Sequence, residues 1–63
     1  MDGNKLKFAR TDAGLSQEGL ARLCGISRET IRKIETNKLN PSISICRKIA
    51  SSLGKTIDDL FGE

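Results

Sequence analysis

Residues 17–36, QEGLARLCGISRETIRKIET, decide the fold of this 63-residue chain. The stretch holds two short segments with apolar residues at helical spacing, and the segments meet at Gly25. Ser16 and Ser27 precede the two segments at positions typical of helix N-caps, where a serine hydroxyl accepts a backbone N–H of the first turn. Gly25 tolerates the positive φ angle that a tight turn between helices requires. The stretch therefore predicts a helix-turn-helix.

The apolar residues of this motif are spaced three and four apart, so that each helix has one inward face. Ala21 is small enough to let the first helix approach the second closely, and Ile26 is apolar directly after the turn. The expected inward-facing set is Leu20, Ala21, Cys24, Ile26, Ile31 and Ile34. A short turn between two unrelated helices would rarely satisfy all of these positions.

Glycines and helix-capping residues divide the rest of the chain into three further short helices. The expected boundaries are Asn4 and about Asp12 for the first helix, Ser42 and Gly54 for the fourth, and Thr56 with Asp59 for the start of the fifth. No segment alternates as a strand would. The sequence therefore predicts a single all-α domain of five helices over residues 1–63.

Composition narrows the classes of function. The net charge is +3, from 11 basic and 8 acidic residues, and the chain has two cysteines and no histidine. Cys24 and Cys46 fall at apolar helical positions, so we expect them to be reduced core residues, and without a histidine or a third cysteine a zinc site is disfavoured. We expect no metal, cofactor or small-molecule ligand. There is no apolar leader and no membrane-length apolar run, so we expect a cytoplasmic protein.

The outward face of the second helix of the motif is mostly basic. A helix in the major groove reads base edges with such side chains, and the candidates are Ser27, Arg28, Glu29, Arg32 and Lys33. Arg28 and Lys33 are expected on bases, and Arg32 on a base or a phosphate. The candidates for phosphate contacts are Gln17, Thr30, Asn37 and Lys38, which lie at helix termini. A solvated basic face is the alternative, but within a complete helix-turn-helix we favour contact with double-stranded DNA.

The chain resembles the phage-repressor, Cro-type (Xre-like) helix-turn-helix family along nearly its whole length. The matching segments include Gly14-Leu15-Ser16-Gln17, Leu20-Ala21, Gly25-Ile26-Ser27-Arg28, Asn40-Pro41-Ser42 and Asp59-Leu60-Phe61. The resemblance implies five helices, major-groove readout by the third helix, and homodimers on palindromic operators. It also implies that Gln17 binds phosphate or braces the third helix, and that Arg10 pairs with Glu35. Phe8 departs from the family pattern and is either a satellite core residue or an exposed anchor.

These features predict a sequence-specific, DNA-binding transcriptional regulator, a repressor acting as a homodimer on a palindromic operator. Its dimer interface is expected at Ile43, Leu60 and Phe61. The alternative is a helix-turn-helix module that binds proteins, such as an antitoxin-like or anti-activator subunit. An enzyme is disfavoured because the sequence offers no glycine-rich phosphate loop and no nucleophile beside a base.

Overall fold

A computed structural model describes residues 3–62 of the chain, so the predicted domain of residues 1–63 extends beyond the described range at both ends. The five helices are α1 (Gly3–Asp12), α2 (Gln17–Cys24), α3 (Arg28–Glu35), α4 (Ile43–Leu53) and α5 (Ile57–Phe61). No strand occurs within the described range. The all-α, five-helix architecture predicted from the sequence is confirmed within this range, and Gly3, one residue before the expected start of α1, is already helical.

The helix starts are set by hydroxyl side chains. Ser16, Ser27 and Ser42 each accept a backbone N–H from the first turn of the helix that follows. Thr56 does the same for α5. The Asp59 carboxylate in turn accepts the Thr56 N–H, which completes the capping box. All four caps were predicted, because each of them lies directly before the helix that it caps.

The turn between α2 and α3 depends on Gly25, which adopts φ 70°. A side chain at this left-handed position would be strained, whereas glycine adopts it freely. The Gly25 N–H donates to carbonyl groups at the end of α2, and the Ile26 N–H donates to the Ala21 carbonyl at 3.0 Å. The turn thus satisfies the last carbonyls of α2 and directs the chain into α3.

The core is aliphatic and receives side chains from all five helices. Its fully buried large residues are Leu6, Leu20, Ile31, Ile34, Ile49 and Leu60. Cys24 and Cys46 are free and buried, as predicted. None of the helices in residues 3–62 is long and apolar enough to cross a membrane.

The burial of Leu60 corrects one prediction. Leu60 was expected in a dimer interface, but only 1% of its surface is exposed, because α5 turns it inward against the core. Its neighbour Phe61 is only partly buried. Ile43, at the start of α4, is 60% exposed. Of the three residues, only Ile43 and Phe61 remain available to a partner surface.

Candidate nucleic-acid interface

The core holds α3 in one rotational setting. Ile31 and Ile34 have no exposed surface, and α3 packs against both α2 and α1. Two fully buried β-branched side chains on the same face leave the helix no freedom to roll. The opposite face of α3 is therefore fixed outward.

The outward face of α3 carries four charged side chains in two adjacent rows. Arg28 and Arg32 lie one turn apart in one row, and Glu29 and Lys33 lie one turn apart in the other. Arg28, Glu29 and Lys33 are exposed, and Arg32 is partly exposed. The structure thus places these four predicted residues on one continuous surface with three positive charges and one negative charge.

Glu29 and Arg32 interact across this surface. The Arg32 Nε donates to Glu29 Oε1, one helical turn away. This hydrogen bond holds the pKa of Glu29 below its usual range, with smaller contributions from the nearby charges of Arg32, Lys33 and Arg28. The same bond raises the pKa of Arg32. Glu29 therefore orients Arg32 in the free protein, while Arg28 and Lys33 have no such restraint among the described residues.

The side chains of Ser27 and Thr30 form a hydrogen bond with each other at the start of α3. The Thr30 N–H donates to Ser27 Oγ at 3.1 Å, and the two hydroxyl groups hydrogen-bond to each other at 2.8 Å. Both side chains lie at the N-terminal end of α3, beside Arg28. The Ser27 hydroxyl caps the helix and the Thr30 hydroxyl bonds to it, so both offer only their remaining hydrogen-bonding capacity to a ligand.

A buried ion pair joins α1 to the end of α3. The Nε of Arg10 lies 2.6 Å from Glu35 Oε2, and its Nη2 lies 3.1 Å from Glu35 Oε1. This bidentate pair confirms the contact predicted between Arg10 and Glu35. The Arg10 Nη1 also donates to the Leu15 carbonyl at 2.7 Å, so the guanidinium connects α1, the loop after it and α3.

Gln17 extends this network toward the surface. It is the first residue of α2 and is partly buried, and its Nε2 donates to Glu35 Oε1 at 3.1 Å. Gln17 therefore braces the end of α3. The first two backbone N–H groups of α2, on Gln17 and Glu18, lie in the turn where helix amides have no intrahelical acceptor, while Ser16 caps Gly19.

The segment after α3 contains a contact that the sequence did not predict. Asn37 has φ 61°, a left-handed conformation that asparagine tolerates better than most residues. Its Oδ1 accepts the Gly3 N–H at 2.8 Å, so Asn37 caps α1 from 34 residues away. Only the amide NH₂ of Asn37 is left for a phosphate. Lys38 is exposed next to it, and its backbone N–H donates to the Lys33 carbonyl.

Gly3 explains why this contact is so close. A Cβ at this position would lie 2.4 Å from the Glu35 carbonyl oxygen and 2.5 Å from that of Ile34. The N-terminus of α1 therefore rests directly on the backbone at the C-terminal end of α3. Glycine at the start of a helix is the only sequence signal of this packing, and it does not identify the partner.

The described residues include no group of three or more histidine, cysteine, aspartate or glutamate side chains that could hold a metal ion. The charged face of α3, the start of α2 and the segment after α3 are the parts of the structure that correspond to the site predicted from the sequence. Such an arrangement of exposed guanidinium, ammonium and backbone N–H groups is suited to a polyanion.

Comparisons with known proteins agree with this geometry. A model of the helix-turn-helix family matches residues 6–60. The chain is 47% identical to an uncharacterized HTH-type transcriptional regulator of Methanocaldococcus jannaschii over 58 residues, which cover 92% of this chain and 88% of the relative. It is 40% identical to another from Archaeoglobus fulgidus, over 90% of this chain and 81% of the relative. It is 34% identical to the HTH-type transcriptional regulator PuuR of Escherichia coli, over 97% of this chain but only 33% of PuuR.

Proposed function

The chain belongs to the Cro-type, Xre-like helix-turn-helix family of DNA-binding transcriptional regulators, and on that premise we propose that it is a repressor that binds a palindromic operator as a homodimer. The family is not enzymatic.

The observation that carries the proposal is the charged outward face of α3. An α-helix fits the major groove of B-DNA, and arginine or lysine donates to the O6 and N7 acceptors of guanine. We assign base contacts to Arg28 and Lys33, whose side chains are exposed and unrestrained. The Arg32 Nε donates to Glu29 in the free protein, which leaves the N–H groups of its two Nη atoms for a base or a phosphate.

Phosphate contacts follow from the helix termini that flank α3. The backbone N–H groups at the start of α2 and the side chain of Lys38 can clamp the strands on either side of the groove. Gln17 contributes through the second N–H of its Nε2, because the first donates to Glu35. Asn37 contributes only through its amide NH₂. These contacts set the position of α3 and carry no sequence information themselves.

A homodimer is proposed because one recognition helix spans too few base pairs to select a single operator. Two copies related by a twofold axis would present their α3 helices about 34 Å apart, one turn of B-DNA. The exposure of Ile43 and the partial exposure of Phe61 support an interface built from α4 and α5. Repression follows sterically when the operator overlaps a promoter.

Selection from a random duplex library tests this function. The purified chain should enrich an inverted repeat whose half-site centres are about 10 base pairs apart. A single half-site without a repeat would refute the homodimer, and the absence of any enriched sequence would favour the protein-binding alternative. Placing the enriched operator across a reporter promoter should then lower transcription when the chain is expressed.

A further inference from the structure

The helices α1 and α5 leave an open groove of about 550 Å³ between them. Phe8 stands on its rim with 74% of its surface exposed, the largest exposed fraction among the bulky apolar residues described. The sequence left open whether Phe8 belongs to the core or to the surface, and the structure places it on the surface. An aromatic ring held in water beside a groove is typical of an interaction surface.

The charged residues that α1 contributes to the groove stand on either side of Phe8 along the helix. Lys5 precedes Phe8 by three residues and Asp12 follows it by four, so the three side chains form one row on the helix. All three are exposed and all three line the groove. We call Lys5, Phe8 and Asp12 the α1 row. In chain order its side chains are positive, aromatic and negative.

A row with this order is complementary to itself when it is reversed. Along the helix axis, Lys5 lies about 4.5 Å before Phe8 and Asp12 about 6 Å after it, at 1.5 Å per residue. If two α1 helices pack antiparallel with their Phe8 rings at a twofold axis, Lys5 of each copy lies within about 1.5 Å, along the axis, of Asp12 of the other. The two aromatic rings then meet in the centre and an ion pair flanks them on each side.

The charged groups of the α1 row keep hydrogen-bonding capacity for these contacts. Asp12 has no hydrogen-bond or ion-pair partner among residues 3–62. The Lys5 Nζ donates to the Gly62 carbonyl at 2.6 Å, which uses one of the three donors of an ammonium group. The open groove beside Phe8, floored by Ala9 and Leu60, offers space for part of the opposing ring.

From this pattern we infer that the α1 row is a self-association surface, and that its occupant is the α1 row of a second copy of the chain packed antiparallel. Self-complementarity favours a second copy over an unrelated partner, because every copy of the chain already carries the matching order of charges. The surface shares no residue with Ile43 and Phe61, which we propose for the operator dimer. It therefore adds a second contact, through which two operator-bound dimers can join.

Sedimentation velocity without DNA tests the contact. The measurements use chains that carry Ile43→Glu, which disrupts the surface proposed for the operator dimer. Any association that remains then reports on the α1 row and not on the proposed operator dimer. The Ile43→Glu chain should still self-associate when its concentration is raised to about 1 mM, because small interfaces bind weakly. Adding Phe8→Ala should raise the dissociation constant about 100-fold, as for an aromatic anchor at an interface centre.

Charge reversal gives the sharper result. Lys5→Glu alone and Asp12→Lys alone should each fail to self-associate, because like charges then face each other. A mixture of these two single variants should form a heterodimer, and the chain with both changes should self-associate again. Lys7→Glu, an exposed reversal on α1 outside the row, should have no effect.

Three results would overturn the inference. The first is an Ile43→Glu chain that remains monomeric, and the second is undiminished association after Phe8→Ala. The third is a mixture of the Lys5→Glu and Asp12→Lys chains that stays monomeric while circular dichroism shows both to be folded.

Discussion

Removing Arg10 should destabilise the domain more than any change to a surface charge. In Arg10→Met, the Glu35 carboxylate loses both charge-assisted donors of its bidentate partner and keeps only the Gln17 amide. The side chains of Arg10 and Glu35 are only 8% and 2% exposed, so water cannot replace the lost donors. The carboxylate is then a buried charge with inadequate compensation.

The expected cost is about 3–5 kcal/mol, the range for breaking a buried ion pair by removing one partner. A domain of 63 residues has a total free energy of unfolding of roughly 3–9 kcal/mol. Arg10→Met should therefore leave the chain marginally stable or unfolded at room temperature. Arg10→Met combined with Glu35→Met removes the charge as well, and should recover most of the loss.

Urea unfolding followed by circular dichroism measures these differences. The matched control is Arg22→Met, because Arg22 pairs with Glu18 at 3.8 Å but both side chains are largely exposed, at 79% and 69%. That exposed pair should contribute less than about 1 kcal/mol. Equal losses for Arg10→Met and Arg22→Met would contradict a special cost of leaving the buried Glu35 charge without its partner, as would a double variant less stable than Arg10→Met alone.

The remaining predictions concern burial, close packing and capping. Native Cys46 should react slowly with thiol reagents, since burial raises the pKa of its thiol, and Cys24, only 7% exposed, should be shielded as well. Gly3→Ala should destabilise the chain by about 1–3 kcal/mol in urea unfolding, because its Cβ would overlap the backbone of α3. The N–H of Thr56 holds the pKa of Asp59 below its usual range, so the capping box is complete above the ordinary aspartate pKa and is lost as the pH falls through the lowered one. Amide exchange in α5 should accelerate in that acidic window, and Asp59→Asn should abolish the dependence.

Each of these three predictions has a clear contrary result. Labelling of either cysteine at the rate of the urea-unfolded chain would show that the thiols are accessible. Stabilisation by Gly3→Ala, the usual effect of alanine in a helix, would show that the N-terminus of α1 does not rest on α3. An α5 exchange rate that is independent of pH after correction for intrinsic exchange would show that Asp59 does not cap the helix.

The parts of the fold that depend on local sequence were predictable. Capping by Ser16 and Ser27, and the left-handed turn at Gly25, each need only the neighbouring residues. The inward positions of Ile31 and Ile34 follow from helical spacing. The pairing of Arg10 with Glu35 came instead from the family resemblance, because nothing local connects residues that far apart in sequence.

The wrong and missing predictions concern side chains whose burial or contacts depend on packing between helices that are distant in the sequence. In the short α5, Leu60 and Phe61 are adjacent apolar residues, and periodicity alone does not say which of them faces the core. The cap that Asn37 provides to Gly3 joins the segment after α3 to the start of α1, 34 residues away. Phe8 remained ambiguous for the same reason, since its exposure depends on how α5 lies beside α1.

Binding measurements on Arg28→Ala test whether α3 reads DNA in the major groove. The affinity of the wild-type chain and of Arg28→Ala is determined at constant salt on the selected operator and on each of its single-base-pair variants. Lys7→Ala, which removes the same charge from α1, controls for net charge. Arg28→Ala should lose about 1–3 kcal/mol on the intact operator and become indifferent to one base pair in each half-site. Unchanged affinity, or a loss that is equal at every position and matched by Lys7→Ala, would contradict major-groove readout by α3.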